Sequence, residues 1–374
     1  RGDRKVVIRP EMTPSISRMV AARRQELGYP ARMYNIANYM RYERPQRGRE
    51  REFWQLNADI FGADGGLAEA EIITLCYEIM KAFGADDKMF SIRISNRKLI
   101  DFMMTNYLGL DGVQSQLMIK LLDRKDKITV EEFATLATEI FGNEHAEAGL
   151  QKIAVLASAK SIVDLPEELK QNETIKEAEE LFALLNQAGI KNAIFDITLM
   201  RGFDYYTGTV FEFFDNHPDN NRAMFGGGRY DGLVGLFGVE PIATVGVAPG
   251  LTTTEIFLQS HNLLPELPST TEVGIVILGD NLEGGLKFAA RLREEGVNTE
   301  IDITGRKLDK QIKSVVKKQI PFMVFVGEEE LQTEQYPFKD TKTASEEKLS
   351  FERIVSQVKD CRHKTNDEFD LYFE

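Results

Sequence analysis

The chain has 374 residues, too many for one ordinary hydrophobic core, so its length predicts two or three domains. A hydrophobic content of 43% and a charged content of 28% are ordinary for a globular protein, and no apolar run is long enough to cross a membrane. The net charge of −13 argues against non-specific coating of nucleic acid, and two cysteines, Cys76 and Cys361, exclude a disulfide framework and a cysteine-rich zinc site.

The first part of the chain alternates short strand patterns with helices. Residues 5–8 have the composition of an approach to a strand, and neither a starting Met nor a secretion signal precedes them. We therefore expect a cytoplasmic protein whose fold begins upstream. A helix is predicted from Thr13 to Leu27, with Thr13 as its cap and Pro14 in the first helical position. Strands at 32–42 and 53–61, a charged loop at 43–52 and a helix at 68–83 follow.

The composition then changes, and the changes predict the domain boundaries. Strand patterns disappear after residue 96, where Leu, Met and Ile recur at helical spacing, and they return after residue 172. The last hundred residues alternate strands with helices, which predicts a small α/β domain with a partly parallel sheet. The expected parts are a first domain in two pieces, a helical insertion, a linker and a C-terminal domain: 1–96 and 173–262, 97–172, 263–271, and 272–374.

Two neighbouring segments carry the densest chemical signal. Residues 201–212 read R-G-F-D-Y-Y-T-G-T-V-F-E, and residues 226–233 read G-G-G-R-Y-D-G-L. Glycines allow a backbone to approach a ligand closely, Arg offers a planar fork for carboxylate or phosphate, and Tyr adds a flat wall with a hydroxyl. The combination suits a small polar metabolite beside a phosphate. A tight turn stabilised by an Arg–Asp pair is the structural alternative.

These segments resemble the two histidine-specific signatures of histidyl-tRNA synthetases, which are class II aminoacyl-tRNA synthetases. Residues 9–13, R-P-E-M-T, resemble the Arg-Pro-Glu-x-Thr segment of that family. Residues 39–55, Y-M-R-Y-E-R-P-Q-R-G-R-E-R-E-F-W-Q, resemble the second conserved class II motif in its histidyl form. The matching segments occur in the family's order along nearly the whole chain.

The resemblance implies an α+β fold and an activity. The expected fold has a six-stranded antiparallel catalytic sheet flanked by helices, a helical insertion and a C-terminal anticodon-binding domain. The first conserved motif of the class would lie largely upstream of Arg1. The implied enzyme is a histidine–tRNA ligase that uses histidine, ATP and tRNA(His) and forms a homodimer.

By this resemblance, Glu11, Thr13 and Gln55 hold the α-amino group of histidine. An ammonium has three donors and no acceptor, so a carboxylate together with neutral oxygens suits it. Without the resemblance, Glu11 could equally be a surface carboxylate or an ion-pair partner of Arg9.

The resemblance assigns the imidazole of histidine to Asp59 and Tyr206. A carboxylate on one ring nitrogen and a hydroxyl on the other would fix its tautomer, and such a site rejects analogues that leave buried polar groups unpaired. Some family members carry Glu at the position of Asp59, so the carboxylate has a shorter reach here. Tyr230 is expected to line the pocket or to be a core aromatic, and Tyr205 to serve packing.

Arg41 and Arg201 are the candidate catalytic residues and also candidate ATP ligands. The carboxylate of histidine would attack the α-phosphorus of ATP, and fixed positive charge would stabilise the crowded phosphoryl group. The resemblance assigns Glu43 and Arg49 to the adenine and triphosphate side. Mg²⁺ is expected with the ATP phosphates, not in a metal site built by the protein alone.

Thr253 departs from the family pattern. Many class II synthetases carry an Arg in a Gly-x-Glu-Arg third motif, whereas residues 246–255 read G-V-A-P-G-L-T-T-T-E, with Thr253 at the Arg position. Threonine cannot supply a charge to the γ-phosphate. Two alternatives stay open: the enzyme works without that charge, or its ATP binding is weakened.

Two groups of basic residues are candidate tRNA contacts. Four arginines crowd the loop after Arg41, and among them Arg47 and Arg51 are the candidates for the acceptor end. Near the chain end, Lys310 and Lys313 belong to a basic stripe on a predicted helix. In both places a solvated surface is the alternative.

Two other functions compete with the synthetase. A relative of the catalytic domain serves as the histidine-sensing regulatory subunit of ATP phosphoribosyltransferase, but such proteins lack the anticodon-binding domain that residues 272–374 resemble. A noncatalytic synthetase paralogue is the second alternative, and Thr253 supports it.

Overall fold

The structure is a computed structural model that describes residues 2–3, 5–125, 128–159, 161–199, 205–220, 222–265 and 269–370. The chain divides into two compact units, Arg1–Leu264 and Pro265–Glu374. Each unit has a sheet and a hydrophobic core of its own.

A seven-stranded sheet organises the first unit. Its strands are β1 (Ala31–Met40), β2 (Glu52–Phe61), β3 (Phe90–Asn96), β4 (Ala193–Phe195), β5 (Thr209–Asp215), β6 (Arg222–Arg229) and β7 (Thr244–Val247). Their order across the sheet is β1-β2-β7-β6-β5-β3-β4. The first six strands in this order pair antiparallel, as the resemblance implies, and the short β4 adds a parallel pair with β3 at one edge.

Strand β2 has one apolar face and one polar face, because successive side chains of a strand point to opposite sides of the sheet. Ala58 and Ile60 belong to the hydrophobic core. Gln55, Asn57 and Asp59 alternate with them and are buried on the other face. The buried polar face is where a site can form.

Helices cover the apolar face of this sheet. They are α2 (Gly66–Ala82), α8 (Glu173–Gln187) and α9 (Leu251–Ser260). Helix α1 (Thr13–Ala22) packs instead in a separate apolar cluster with Phe61 and Val234. Phe90, Phe213 and Phe257 are fully buried between α9 and the sheet, and the rings of Phe90 and Phe213 stack with centroids 6.0 Å apart. The core therefore backs the polar face with rigid aromatic packing.

The insertion is helical, as its apolar spacing predicts. It contains α3 (Arg97–Phe102), a π-helical turn (Met103–Tyr107), α4 (Gly112–Leu122), α5 (Val130–Phe141), α6 (Ala146–Ser158) and α7 (Glu167–Lys170). Asp111 caps α4 in a capping box with Gln114, and Thr129 caps α5. Together with α8 and the β4 end, these helices enclose a second apolar cluster of the first unit.

The start of the chain differs from the prediction. Residues 5–8 form no strand, and Val6 and Val7 are each 88% exposed, because no neighbouring strand pairs with them in the described part of the chain. Met12, not Thr13, is the N-cap of α1, and Thr13 is already helical. The helix also ends at Ala22, and turns follow it.

The glycine triplet Gly226–Gly228 lies within β6 and is neither a tight turn nor a phosphate loop. The structural alternative of a tight turn at this triplet is therefore wrong. A β-carbon on Gly227 would collide with the carbonyl oxygen of Gly246 on β7. The sheet needs glycine there because the neighbouring backbone fills the space that a side chain would take.

The second unit is a small α/β domain with a partly parallel sheet, as predicted. Its elements are β8 (Val273–Ile277), α10 (Leu282–Glu294), β9 (Thr299–Ile301), α11 (Leu308–Lys317), β10 (Phe322–Val326), α12 (Glu328–Thr333), β11 (Tyr336–Asp340), β12 (Glu346–Leu349) and α13 (Phe351–Asp370). The sheet order is β12-β11-β10-β8-β9, with parallel pairs on both sides of β8. Across the described parts of both units, no helix combines the length and hydrophobicity that a bilayer span requires.

Candidate functional site

A cavity of about 580 Å³ opens on the polar side of the first sheet. Its walls come from the segment before α1, the ends of β1 and β2 with the loop between them, strands β5 to β7, and the start of α9. Among the predicted site residues, those that line it are Glu11, Thr13, Arg41, Glu43, Arg49, Gln55, Tyr206 and Tyr230. The fold thus brings together residues that are more than two hundred positions apart.

Glu11 forms one end of the cavity. The hydroxyl of Tyr205 donates a hydrogen bond to Oε2 of Glu11 across 3.4 Å. Burial raises the pKa of Glu11, while the nearby positive charge of Arg41 lowers it. Tyr205, predicted as a packing residue, thus both packs edge-on against Tyr206 and contacts the Glu11 carboxylate.

Gln55 is oriented by a chain of hydrogen bonds behind it. Its Nε2 donates to Oδ1 of Asn57 at 2.8 Å, and Nδ2 of Asn57 donates to the hydroxyl of Tyr39 at 3.0 Å. The same hydroxyl accepts from Nδ2 of Asn35 at 2.9 Å. Because the amide nitrogen of Gln55 is committed to this chain, its carbonyl oxygen is left as an acceptor in the cavity wall.

Asp59 lies behind the cavity wall and is 5% exposed. The hydroxyl of Tyr230, which lines the cavity, donates a short hydrogen bond to Oδ1 of Asp59. A β-carbon at Gly246, which faces Asp59 across β2 and β7, would collide with that carboxylate. Tyr230 is therefore both a buried aromatic residue and part of the cavity wall. One oxygen of the Asp59 carboxylate accepts the hydrogen bond from its hydroxyl.

Burial raises the pKa of Asp59 to about 7, even though the hydrogen bond from Tyr230 lowers it. Burial also raises the pKa of Tyr206, which keeps its phenol neutral and able to donate. The cavity can therefore offer the hydroxyl of Tyr206 as a donor, and the carboxyl group of Asp59, whose charge depends on pH, lies directly behind the wall at Tyr230.

The raised pKa of Asp59 makes the stability of the ligand-free chain depend on pH. Between the ordinary value of 3.8 and about 7, the folded chain binds more protons than the unfolded chain, so stability falls as pH rises through this window. The full difference is on the order of 4 kcal/mol. We expect Asp59→Asn to raise the melting temperature relative to the unsubstituted chain at pH 8, and much less at pH 4.5. Thermal unfolding of both proteins without histidine measures this, and a pH-independent difference would contradict it.

Arg41 is anchored at the rim of the cavity. Its Nε donates to the carbonyl oxygen of Pro10 at 2.9 Å, and its guanidinium carbon lies 4.9 Å from the centre of the Phe53 ring. These contacts hold the side chain in the cavity wall, and neither of them uses its two terminal nitrogens as donors. Arg201, the second predicted catalytic residue, lies outside the described residues.

The loop between β1 and β2 bears the other predicted ATP residues. Arg49 pairs with Glu43 at 3.5 Å, and both line the cavity. Arg51 donates to the carbonyl oxygen of Glu43 at 3.2 Å and stacks over Tyr42. Arg47 and Arg51 are exposed and do not line the cavity. In this loop, Glu43 and Arg49 therefore face the cavity, whereas Arg47 and Arg51 are exposed outside it.

The cavity has wall residues that the sequence motifs did not predict. Thr252 donates from its hydroxyl to Oε2 of Glu50 at 2.9 Å, and Arg222 donates to the carbonyl oxygen of Arg47 at 2.7 Å. These contacts attach the loop to α9 and β6. The only sequence signal for Arg222 is its position four residues before the glycine triplet.

Thr253 also lines the cavity, in the first turn of α9. Its hydroxyl donates to the carbonyl oxygen of Gly250 at 3.1 Å. The side chain is therefore turned to its own helix and adds no charge to the wall.

Lys310 and Lys313, the predicted contacts near the chain end, are exposed on α11. The opposite face of the helix is buried through Gln311 and Val315. Gln311 accepts from the backbone nitrogen of Ile277 at 2.9 Å, so α11 is fixed on β8 with its basic face to solvent.

Family comparisons cover both units. Residues 1–253 match a family described as histidyl-tRNA synthetase, and residues 272–360 match one described as an anticodon binding domain. The chain is 38% identical over 362 residues to a histidine–tRNA ligase of Leptospira biflexa, covering 96% of this chain and 82% of the relative. It is 34% identical over 371 residues to a histidine–tRNA ligase of Thermococcus kodakarensis, covering 96% and 83%.

A solved structure has the same architecture. The crystal structure of histidyl-tRNA synthetase from Nostoc sp. PCC 7120 superimposes with a TM-score of 0.70 at 25% identity. The superposition covers 94% of this chain and 83% of that one.

Proposed function

The chain belongs to the histidyl-tRNA synthetase family, and we propose that it catalyses the two-step charging of tRNA(His) with histidine. In the first step, histidine and ATP form histidyl-adenylate and pyrophosphate. In the second, the terminal ribose hydroxyl of tRNA(His) attacks the adenylate carbonyl and releases AMP. The members of this family are class II aminoacyl-tRNA synthetases, and ATP is their substrate.

One observation carries the proposal: a single cavity combines acceptors for an ammonium with cations for phosphates. Glu11 and the carbonyl oxygen of Gln55 suit the α-amino group of histidine. Arg41, which lies close to Glu11, and Arg49, in the loop between β1 and β2, line the same cavity and supply positive charge. Histidine held at Glu11 by its α-amino group would have its carboxylate close to Arg41, and the first step requires the α-phosphate of ATP to approach that carboxylate.

The chemistry of the first step needs charge stabilisation more than proton transfer. As the carboxylate oxygen bonds to the α-phosphorus, the bond to pyrophosphate breaks and negative charge gathers on the equatorial oxygens. A guanidinium held in advance stabilises that charge without reorganising. We assign this role to Arg41, whose anchoring by Pro10 and Phe53 orients it, and to Arg201 by family resemblance.

We expect Mg²⁺ to arrive with the ATP phosphates. Glu43, Glu50 and Glu212 line the cavity, and carboxylate oxygens are the protein ligands that this ion prefers. The ion would neutralise phosphate charge. Glu43 and Arg49, as a pair, are then the proposed contacts on the adenine and triphosphate side.

The tRNA contacts are proposed on both units. Residues 272–360 match an anticodon-binding domain, and its α11 exposes Lys310 and Lys313. Arg47 and Arg51 face outward beside the cavity, where the acceptor end must enter. A homodimer and a cytoplasmic location are expected from the family alone.

We expect the double substitution Lys310→Glu, Lys313→Glu to raise the KM for tRNA(His) at least several-fold, because two phosphate contacts become repulsive. Adenylate formation should be unchanged. The matched control reverses two exposed lysines of the same unit, Lys342→Glu and Lys348→Glu. Aminoacylation kinetics with both variants measure the effect, and an equal KM in the two would remove α11 from the interface.

The proposed function is tested by histidine-dependent exchange of pyrophosphate into ATP. Exchange should require histidine and should not respond to changes in the anticodon of added tRNA. The regulatory alternative is not favoured, because the chain matches an anticodon-binding domain. Histidine binding without any exchange would reject the synthetase and support a noncatalytic paralogue.

A further inference from the structure

We propose that Arg222 supplies the positive charge toward the γ-phosphate of ATP that Thr253 cannot supply. Thr253 occupies the third-motif position where many class II synthetases carry Arg, and its hydroxyl is bound to its own helix. The inference rests on the proposed function, since it assigns a further residue to the same ATP site.

The position of Arg222 is the first argument. Arg222 begins β6, lines the cavity and lies beside Thr253, although 31 positions separate them in the sequence. A β-carbon placed on Gly48 would lie 3.4 Å from Nη1 of Arg222 and 3.7 Å from Cγ2 of Thr253. Both side chains therefore lie against Gly48 of the loop between β1 and β2, which also lines the cavity.

The second argument is that the guanidinium is available. Of the described residues, only the carbonyl oxygen of Arg47 accepts a hydrogen bond from it, and no carboxylate there lies within 4.0 Å. Asp215, opposite Arg222 in the strand register, is already bound to Nδ2 of Asn220 at 2.7 Å and Nε2 of His261 at 2.8 Å. A guanidinium has five donors, so most of its donors are left for a ligand.

The charge balance of the described wall is the third argument. Four glutamates line the cavity, whereas three arginines do: Arg41, Arg49 and Arg222. Arg41 donates to the Pro10 carbonyl and Arg49 is paired with Glu43. Without Arg222 the described wall would have only Arg41 and the paired Arg49 to face a triphosphate beside four glutamates, and repulsion from the glutamates would oppose binding.

The expected result is a selective loss of ATP use. Arg222→Ala should lower kcat/KM for ATP in pyrophosphate exchange by about 100-fold, the scale for one well-aimed donor, and leave the KM for histidine within about twofold. The matched control is Arg24→Ala, because the half-buried Arg24 also donates from Nη1 to one backbone carbonyl, that of Glu240, and does not line the cavity. The control should behave as the unsubstituted chain.

Arg222 also donates to the backbone carbonyl of Arg47 in the loop, so Arg222→Ala could act only by loosening the loop. The following measurements distinguish that effect from a direct contact with the ATP phosphates. A histidyl-sulfamoyl-adenosine analogue has no β- or γ-phosphate, so Arg222→Ala should leave its Kd unchanged. Adding Thr253→Arg to Arg222→Ala should recover at least about tenfold of the lost kcat/KM, since it returns a charge to the same place.

Three outcomes would overturn the inference: unchanged ATP kinetics in Arg222→Ala, a parallel loss of analogue binding, or no recovery in the double variant. Each presupposes that the unsubstituted chain is active. Absence of histidine-dependent exchange in that chain would instead reject the proposed function, so the two failures are distinguishable.

Discussion

Replacing Arg41 with Ala should lower kcat/KM for histidine-dependent pyrophosphate exchange by about 100- to 1000-fold. Arg41 is held by the Pro10 carbonyl and the Phe53 ring before any ligand binds, so its charge is directed without a reorganisation cost. Loss of such a charge removes stabilisation in the transition state, and kcat should fall more than the KM for histidine rises.

The matched control for this substitution is Arg44→Ala. Arg44 is an exposed arginine of the same loop that does not line the cavity. Pyrophosphate exchange involves no tRNA, so this control should keep its rate even if Arg44 contacts tRNA. Equal rates for the Arg41 and Arg44 variants would show that Arg41 is not catalytic.

The second large effect is expected at Asp59. We expect Asp59→Ala to raise the KM for histidine by at least about 100-fold, because a site that hydrogen-bonds a polar group discriminates by 10⁴ or more. The substitution also leaves the buried hydroxyl of Tyr230 without its partner. Selectivity against histidine analogues that lack a ring nitrogen should fall in parallel.

Steady-state exchange with histidine and with such analogues measures the Asp59 effect. Glu52→Ala is the control, because Glu52 is an exposed carboxylate on the same strand, bonded to Asn38 on β1. If the Asp59 variant kept both its KM and its selectivity, the assignment of the imidazole to Asp59 would be wrong.

The sequence predicted most of the elements that have a clear period and missed several that charged residues or glycines obscure. Strands β1 and β2 were predicted within a few residues because apolar and polar side chains alternate in them, and helix α2 because its apolar side chains recur at helical spacing. Strand β12 is rich in charged residues and gives no periodic apolar signal. Helix α13 was missed although its first half has apolar residues at helical spacing, because charged and polar residues fill the rest: Phe351, Ile354, Val355 and Val358 are the apolar ones. Strand β6 was missed because glycines hide its pattern, and its pairing depends on the neighbouring backbone.

The site residues that lie in sequence motifs could be predicted. Those that only the tertiary fold brings to the cavity could not. Glu11, Arg41 and Gln55 lie in segments that resemble family motifs, and the structure brings them into one cavity. The hydrogen bond from Arg222 to the Arg47 carbonyl joins residues 175 positions apart, so no local sequence pattern could indicate it. The raised pKa of Asp59 likewise follows from burial, which spacing along the chain does not reveal.

The glycine-rich part of the sheet has a consequence for the entropy of binding. Gly226 and Gly246 line the cavity from adjacent β6 and β7, where a paired backbone replaces side chains. Immobilising a rotamer-rich side chain at an interface costs about 0.5–1.5 kcal/mol, whereas glycine has no rotamers to lose. A ligand that settles on this surface meets a wall that is already ordered, so its binding costs no side-chain entropy at these two positions.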